Sequence, residues 1–336
     1  MKCIIYSLSG LLLVLGICLL SSCEEWTRKT DVYVIGNVDG NPIMWKNGRP
    51  DSLMADMNTD VRSIFVTEKD VYILGRTNVI DYTNPGNSTF EYILKKNKNS
   101  QKISGIRNAQ SLLVNGNDVY IGGQDTIYNS VYTYPSAALW KNGATQTLPS
   151  KWNSCAQDMV EVNNNIYVLG YCGEVWKNGD SLQCERSCCY DASSLYVVNN
   201  DIYITGDYVE DFFYHYATFW KNDSIIRLSN ELGSRARDIC VDGENIYIVG
   251  DVKNRATLWI NGTAQTLSEE GISSVARSIC VSNGDIYVLG EIVLSNAVVN
   301  YRLDDRTAIV LWKNGIPQTL GVGRHYITVS KGLFIK

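Results

Sequence analysis

Ser278-Ile279-Cys280-Val281, then Asn283-Gly284, then Asp285-Ile286-Tyr287-Val288-Leu289-Gly290, form the first half of a unit that decides the fold. After an insert the unit continues as Ala308-Ile309-Val310-Leu311-Trp312-Lys313-Asn314-Gly315 and ends in Thr319-Leu320. Within each piece apolar and polar residues tend to alternate, which is the period of a strand. Asn-Gly tolerates the positive φ that tight hairpins need, so it marks the turns between the pieces. The unit therefore reads as four antiparallel strands. They are called a (S-I-x-V), b (D-I-Y-V-x-G), c (A-x-L-W-K) and d (x-x-T-L).

The unit recurs about every 40–48 residues after Thr30. Strand b is anchored by Tyr33, Tyr72, Tyr120, Tyr167, Tyr203, Tyr247 and Tyr287, and its glycine follows at Gly36, Gly75, Gly123, Gly170, Gly206, Gly250 and Gly290. Strand c carries Trp45, Trp140, Trp176, Trp220, Trp259 and Trp312, and is degenerate around Leu94 to Asn97 in the second unit. This pattern predicts an all-β fold, a seven-bladed β-propeller of four-stranded antiparallel blades. The chain enters at strand b (Asp31 to Gly36) and ends in Tyr326-Ile327-Thr328-Val329, read as the missing strand a of the first blade. The C-terminal strand then closes the ring and removes its open edge. Gly332 to Lys336 resembles the start of a further strand b, which keeps six or eight blades as alternatives. W-K-N-G reads as packing and turn chemistry, with the tryptophan between blades and the lysine over the outer rim.

Residues 1–22 read as a leader: Lys2 is followed by the apolar run Ile4 to Leu20, too short and wrongly flanked for a spanning helix. Leu20-Ser21-Ser22-Cys23 matches a bacterial lipobox. The match implies cleavage before Cys23, lipidation (palmitate among the acyl chains), and attachment to the outer membrane on its periplasmic or cell-surface face. Residues 23–30 form a short tether, and 31–336 a single propeller domain. The full chain carries a net charge of −5 and no clustered basic run, so no nucleic-acid partner is expected.

The units resemble the D-V-Y-V-x-G and W-K-N-G repeats of secreted and lipid-anchored bacterial propeller proteins, and more distantly NHL-type repeats. The resemblance covers residues 31–336 and brings no catalytic set with it. Sialidase Asp-boxes and the Trp-Asp ending of WD repeats are absent from the sequence, and Gly122-Gly123 is the only kelch-like glycine pair.

The site must then be sought in positions rather than motifs. In propellers the d–a and b–c connections share one face. A polar register stands just before strand a: Arg62, Gln110, Gln157, Ser193, Arg237, Arg277 and His325. These residues are expected to ring the channel mouth, where arginines attract an anion or carboxylate. The b–c connections vary most in length and are long at 76–92, 124–136, 207–216 and 291–307. They carry aromatics and acids suited to a sugar ring or a protein surface. Phe212, Phe213, Tyr214 and Tyr216, which flank His215, are the sharpest candidates. Cys155, Cys172, Cys184, Cys188 and Cys189 cluster in and beside one unit. In an exported chain they read as disulfide candidates, with Cys155–Cys172 and Cys184 with Cys188 or Cys189 as plausible pairs. Cys240 and Cys280 read as small buried hydrophobes.

No catalytic residue, metal site or cofactor is expected from the motifs: only His215 and His325 are histidines, and no phosphate loop, nucleophile elbow or H-E-x-x-H occurs. The expectation is an envelope lipoprotein that binds a glycan or an envelope protein through its loop-rich face. The alternatives are a propeller glycosidase or lyase using carboxylates on that face, and a structural subunit of an envelope complex.

Overall fold

The computed structural model describes residues 30–336, apart from 55–58, 80–88, 126–134, 151–153, 183–188, 211–213, 295–297, 300–301, 304–305, 325–326 and 329–331. At the edges of these segments only the backbone is described. The leader, Cys23, Phe212, Phe213, Cys184, Cys188 and His325 lie outside the described residues.

Residues 31–336 form one compact unit. The described residues build seven main sheets, each ordered a-b-c-d and antiparallel throughout. The second blade is Asp60–Val66, Val71–Val79, Thr89–Lys96 and Asn99–Ile103. The fifth is Cys189–Val198, Asp201–Glu210, Tyr214–Lys221 and Ser224–Arg227. The sixth is Arg235–Asp242, Asn245–Val252, Arg255–Ile260 and Thr263–Thr266. Strand a of each blade packs against strand a of the next, all the way round to the C-terminal strand. The fold is a seven-bladed β-propeller. Helix is confined, among the described residues, to one 3-10 turn at Ser52–Met54, and no helix there is long and apolar enough to cross a membrane.

The repeat is explained by two interactions. The tryptophans are the wedges: Trp259 of the sixth blade packs among Tyr203, Phe219 and Ala217 of the fifth, and Trp45 packs among Tyr287, Leu289 and Leu311 of the seventh. In the second blade the buried Lys95 stands where the other six have tryptophan, paired across strands with Ile73. The lysine and asparagine of W-K-N-G tie the c–d hairpin to the start of strand b. Asn142 sits at φ +47°, accepts the Val119 amide at 2.9 Å and donates to Asp118 at 2.7 Å. Lys141 pairs with the same Asp118 at 2.7 Å and lies 5.1 Å above the Tyr120 ring. The arrangement repeats at Asp31–Lys46–Asn47, Asp70–Lys96–Asn97, Asp201–Lys221–Asn222 and Asp285–Lys313–Asn314. These aspartates at the a–b turn therefore anchor hairpins at the end of the ring opposite the b–c connections.

Closure departs from the sequence reading in one respect. Ile327–Thr328 pairs with Val38 and Asn37, and Leu333–Ile335 pairs with Val34 to Val32 of the same strand b. The tail is thus the inner half of strand a of the first blade, not the start of another strand b. Asp31 and Lys336 exchange backbone hydrogen bonds at 2.9 and 3.0 Å, and Phe334 meets Phe65 of the second blade at 5.1 Å between centroids. The apolar pattern Leu333-Phe334-Ile335 serves strands a and b equally, which is why sequence alone misassigned it.

Candidate functional site

The polar register residues do not precede strand a; they lie inside it, at a β-bulge. The pairing of a with b slips between Val61 and Ser63, Ala156 and Asp158, Ala192 and Ser194, Ala236 and Asp238, and Ala276 and Ser278. The extra residues are Arg62, Gln157, Ser193, Arg237 and Arg277. In the third blade the slip runs from Arg107 to Ser111 and takes in Gln110. A bulge leaves one residue unpaired and re-aims its side chain. Here, in the six blades where this position is described, it turns one side chain into a common cavity.

The glycine of strand b is what admits the bulge. A Cβ on Gly250 would stand 1.8 Å from the Arg235 carbonyl oxygen, and one on Gly290 2.1 Å from that of Val275. Just below the bulge a hydrogen-bonded belt links blades. Asp238 accepts from Ser194 at 2.7 Å, Ser278 at 2.8 Å and the Ile279 amide at 2.8 Å. Asp158 accepts from the Leu195 amide at 2.8 Å and lies 2.9 Å from the Ser194 hydroxyl, whose one proton the two acids share. These acids are satisfied by the belt and hold neighbouring strands a in register.

Arg62, Gln110, Gln157, Ser193, Arg237 and Arg277 line one cavity of about 380 Å³, together with Tyr171, Asp191, Asp207 and Arg235. The residues that continue this register into the first blade are not among those described, and His325 is one of them.

Electrostatically the mouth is balanced rather than cationic. The residue after each strand-b glycine forms a second tier, and there Arg237 meets Asp251 at 2.9 Å and Arg277 meets Glu291 at 3.1 Å. Burial holds the Arg237 guanidinium below its ordinary pKa. At Arg62 burial and the neighbouring Arg76 act in the same direction, while Arg76 pairs with Asp60 at 3.3 Å. In the fifth blade the tier residue is Asp207 and the bulge residue is Ser193, so no bulge arginine meets it. Asp207 is 3% exposed. Burial and the nearby Asp191 raise its pKa to about 6, against the opposing pull of Arg235 and His215. His215 Nδ1 lies 3.5 Å and Arg235 Nε 3.8 Å from Asp207 Oδ2. Tyr171, 41% exposed, has its hydroxyl pKa raised by burial and by a hydrogen bond with Asp191.

The aromatic run of the fifth blade is only partly a loop. Tyr208 pairs across with Tyr216, and Arg227 of strand d covers both rings, 4.1 Å from the Tyr216 centroid. Tyr216 is therefore packed on its own blade and is not brought to the mouth. Tyr214 is exposed on the same strand. His215, between them, faces Asp207. The alternation of strand c decides this, and it was hidden because the segment was read as a loop. Asp191, Asp207 and His215 come from strands a, b and c of one blade, separations that no linear motif displays.

One thiol also differs from expectation. Cys155 is a free thiol and so is not bridged to Cys172. Cys155 Sγ turns to the Asn108 carbonyl at 3.4 Å in the adjacent blade, and burial pushes that thiol up to about 12. Cys240 and Cys280 are half-buried free thiols. Cys189 begins strand a of the fifth blade.

No protein-family model and no curated protein matches the chain. Solved structures match at low identity. A computationally designed protein, Ika8, matches at 12% identity over 80% of this chain and 88% of its own, with a TM-score of 0.44. A puromycin-hydrolyzing peptidase of Mycobacterium tuberculosis matches at 9% over 79% of this chain but only 45% of its own, with a TM-score of 0.48. The β-propeller domain of the Trilobed protease from Pyrococcus furiosus matches at 11% over 78% of this chain and 97% of its own, with a TM-score of 0.41. The chain spans about half the length of that peptidase, and these likenesses transfer no activity.

Proposed function

We propose that this chain is an exported, lipid-anchored β-propeller that binds a glycan at the mouth of its channel. The observation that carries this is the single cavity into which six blades each send one bulge residue. Arginine and glutamine present planar donors and acceptors, and the arginine–acid pairs keep them oriented without a large net field. Such a surface suits ring hydroxyls better than a bare anion. The exposed Tyr171 offers an apolar face, as aromatic rings do for flat ligands. The cavity volume falls in the range of about 300–1,000 Å³ usual for small-ligand sites. Tyr214, exposed on strand c of the fifth blade, extends the surface beyond the mouth.

The lipobox at 20–23 supports an anchor at Cys23 and an outer-membrane address. Metabolic labelling with palmitate tests it: label is expected in the wild type and lost in Cys23→Ala. A glycan array of neutral and acidic oligosaccharides, probed with residues 24–336, tests the binding. Selective retention of one class is expected. An empty array, with one defined envelope protein co-purifying from native membranes, would replace this reading with the architectural one.

A second reading, a glycosidase or lyase, is favoured by one observation. Asp191 and Asp207 each place a carboxylate oxygen within 4.8 Å of the other on the cavity wall, and glycosidases work with a pair of carboxylates. New reducing ends released from any array oligosaccharide would establish turnover in place of simple binding.

A further inference from the structure

We propose that Asp191, Asp207 and His215 form a binding site for a divalent first-row transition-metal cation in the wall of the mouth. One ligand atom from each lies within 4.8 Å of the other two. The three residues stand on three adjacent strands of the fifth blade, so the site is set by the sheet and not by a loop. Asp207 and His215 are diagonal neighbours across strands b and c, because Asp207 pairs with Ala217 and Tyr208 with Tyr216. Diagonal neighbours of this kind can touch.

A second observation points to a ligand. The Asp207 side chain is 4% exposed, yet its Oδ1 has no hydrogen-bond partner among the described residues. Nδ1 of His215 is likewise buried and has none. A buried carboxylate oxygen and a buried imidazole nitrogen left without hydrogen-bond partners are each destabilised. A cation between them satisfies both at once. Two further groups face Asp207, the Ala236 amide and Arg235. The Arg235 contact, at 3.8 Å, is longer than a hydrogen bond, and its side chain is 46% exposed. It can swing to solvent when a metal enters.

The donor set selects the metal class. Two carboxylates and one imidazole are too nitrogen-rich for Ca²⁺ and too oxygen-rich for a thiophilic ion, which leaves Mn²⁺, Fe²⁺ and Zn²⁺. Asp191 and Asp207 both line the cavity. Remaining coordination positions therefore open toward it, as in sites that bind water or a ligand oxygen.

The test is titration of chelator-stripped residues 24–336 with Mn²⁺, followed by electron paramagnetic resonance. Mn²⁺ is chosen because the free thiols compete poorly for it; Zn²⁺ and Ca²⁺ are run alongside. One equivalent of bound Mn²⁺ is expected, with a rise in melting temperature, and Ca²⁺ binding at least tenfold more weakly. Asp207→Asn and His215→Gln should each weaken Mn²⁺ at least tenfold, while Tyr214→Phe should not. Circular dichroism confirms that each variant folds. Asp191→Asn serves as a second carboxylate variant if Asp207→Asn does not. Absence of stoichiometric Mn²⁺ and Zn²⁺ binding overturns the proposal, as does binding that survives all three substitutions. Neither result bears on glycan retention by the array, so the two readings fail separately.

Discussion

At the scale of the residue, Asp207 shows how a ring of near-identical units acquires one distinct position. In the sixth and seventh blades the acid after the strand-b glycine faces a bulge arginine. In the fifth the bulge residue is Ser193, and the acid is left with Asp191 and His215. A carboxylic acid with a pKa near 6 in the fold and about 3.9 unfolded binds its proton more tightly when folded. The contribution of Asp207 to stability is therefore greatest below about pH 4 and is lost as pH rises to 6, an effect on the order of 2–3 kcal/mol. In chelator, Asp207→Asn should be more stable than wild type at pH 7 and should flatten the urea-midpoint profile between pH 4 and 6. An unchanged profile would show that Asp207 is not held protonated by its surroundings. The sequence displayed Asp207 and His215 as residues of a long connection. It did not reveal their meeting, because that depends on strands b and c pairing as far as Glu210 and Tyr214.

At the scale of the element, strand a carries the functional geometry and strand b permits it. Gly250 lets the Arg235 carbonyl approach its Cα, the bulge forms, and Arg237 turns inward. Any side chain at 250 collides with backbone, which has no rotamer to yield. Gly250→Ala is expected to destabilise the fold by about 2 kcal/mol or more in urea unfolding. Gly243→Ala, at the exposed a–b turn, is strained by its φ of +59° but meets no atom within 4 Å, and should lose less. Equal losses would mean that the close approach does not matter. This element was largely legible. Tyr, Gly, Trp and Asn-Gly spacing predicted strands b, c and d, and the recurring polar residue before S-I-x-V predicted a ring at the mouth. Its placement inside the strand was not legible, because a bulge breaks the period-two alternation by one residue and so mimics a strand end. Tyr216 was misplaced for the related reason that a strand extended past its consensus looks like a loop.

At the scale of the whole molecule, the ring is held shut by the last residues of the chain. Leu333 is buried between the first and seventh blades, and the Asp31–Lys336 backbone pair finishes the sheet. Deleting 332–336 exposes an edge and opens a core cluster. A loss of about 3 kcal/mol or more in thermal or urea unfolding is expected from the buried side chains alone. Unchanged unfolding would mean that the ring closes without its tail. Closure also brings the bulges of separate blades to one mouth, so the same geometry can be tested by binding. Isothermal titration of the tightest array oligosaccharide into wild type, Arg62→Gln, Gln157→Ala and a surface control, Lys253→Ala, is the most direct measurement. Affinity is expected to fall at least tenfold in both mouth variants and to stay unchanged in the control. Undiminished affinity in both mouth variants would contradict the assignment of this mouth as the binding surface.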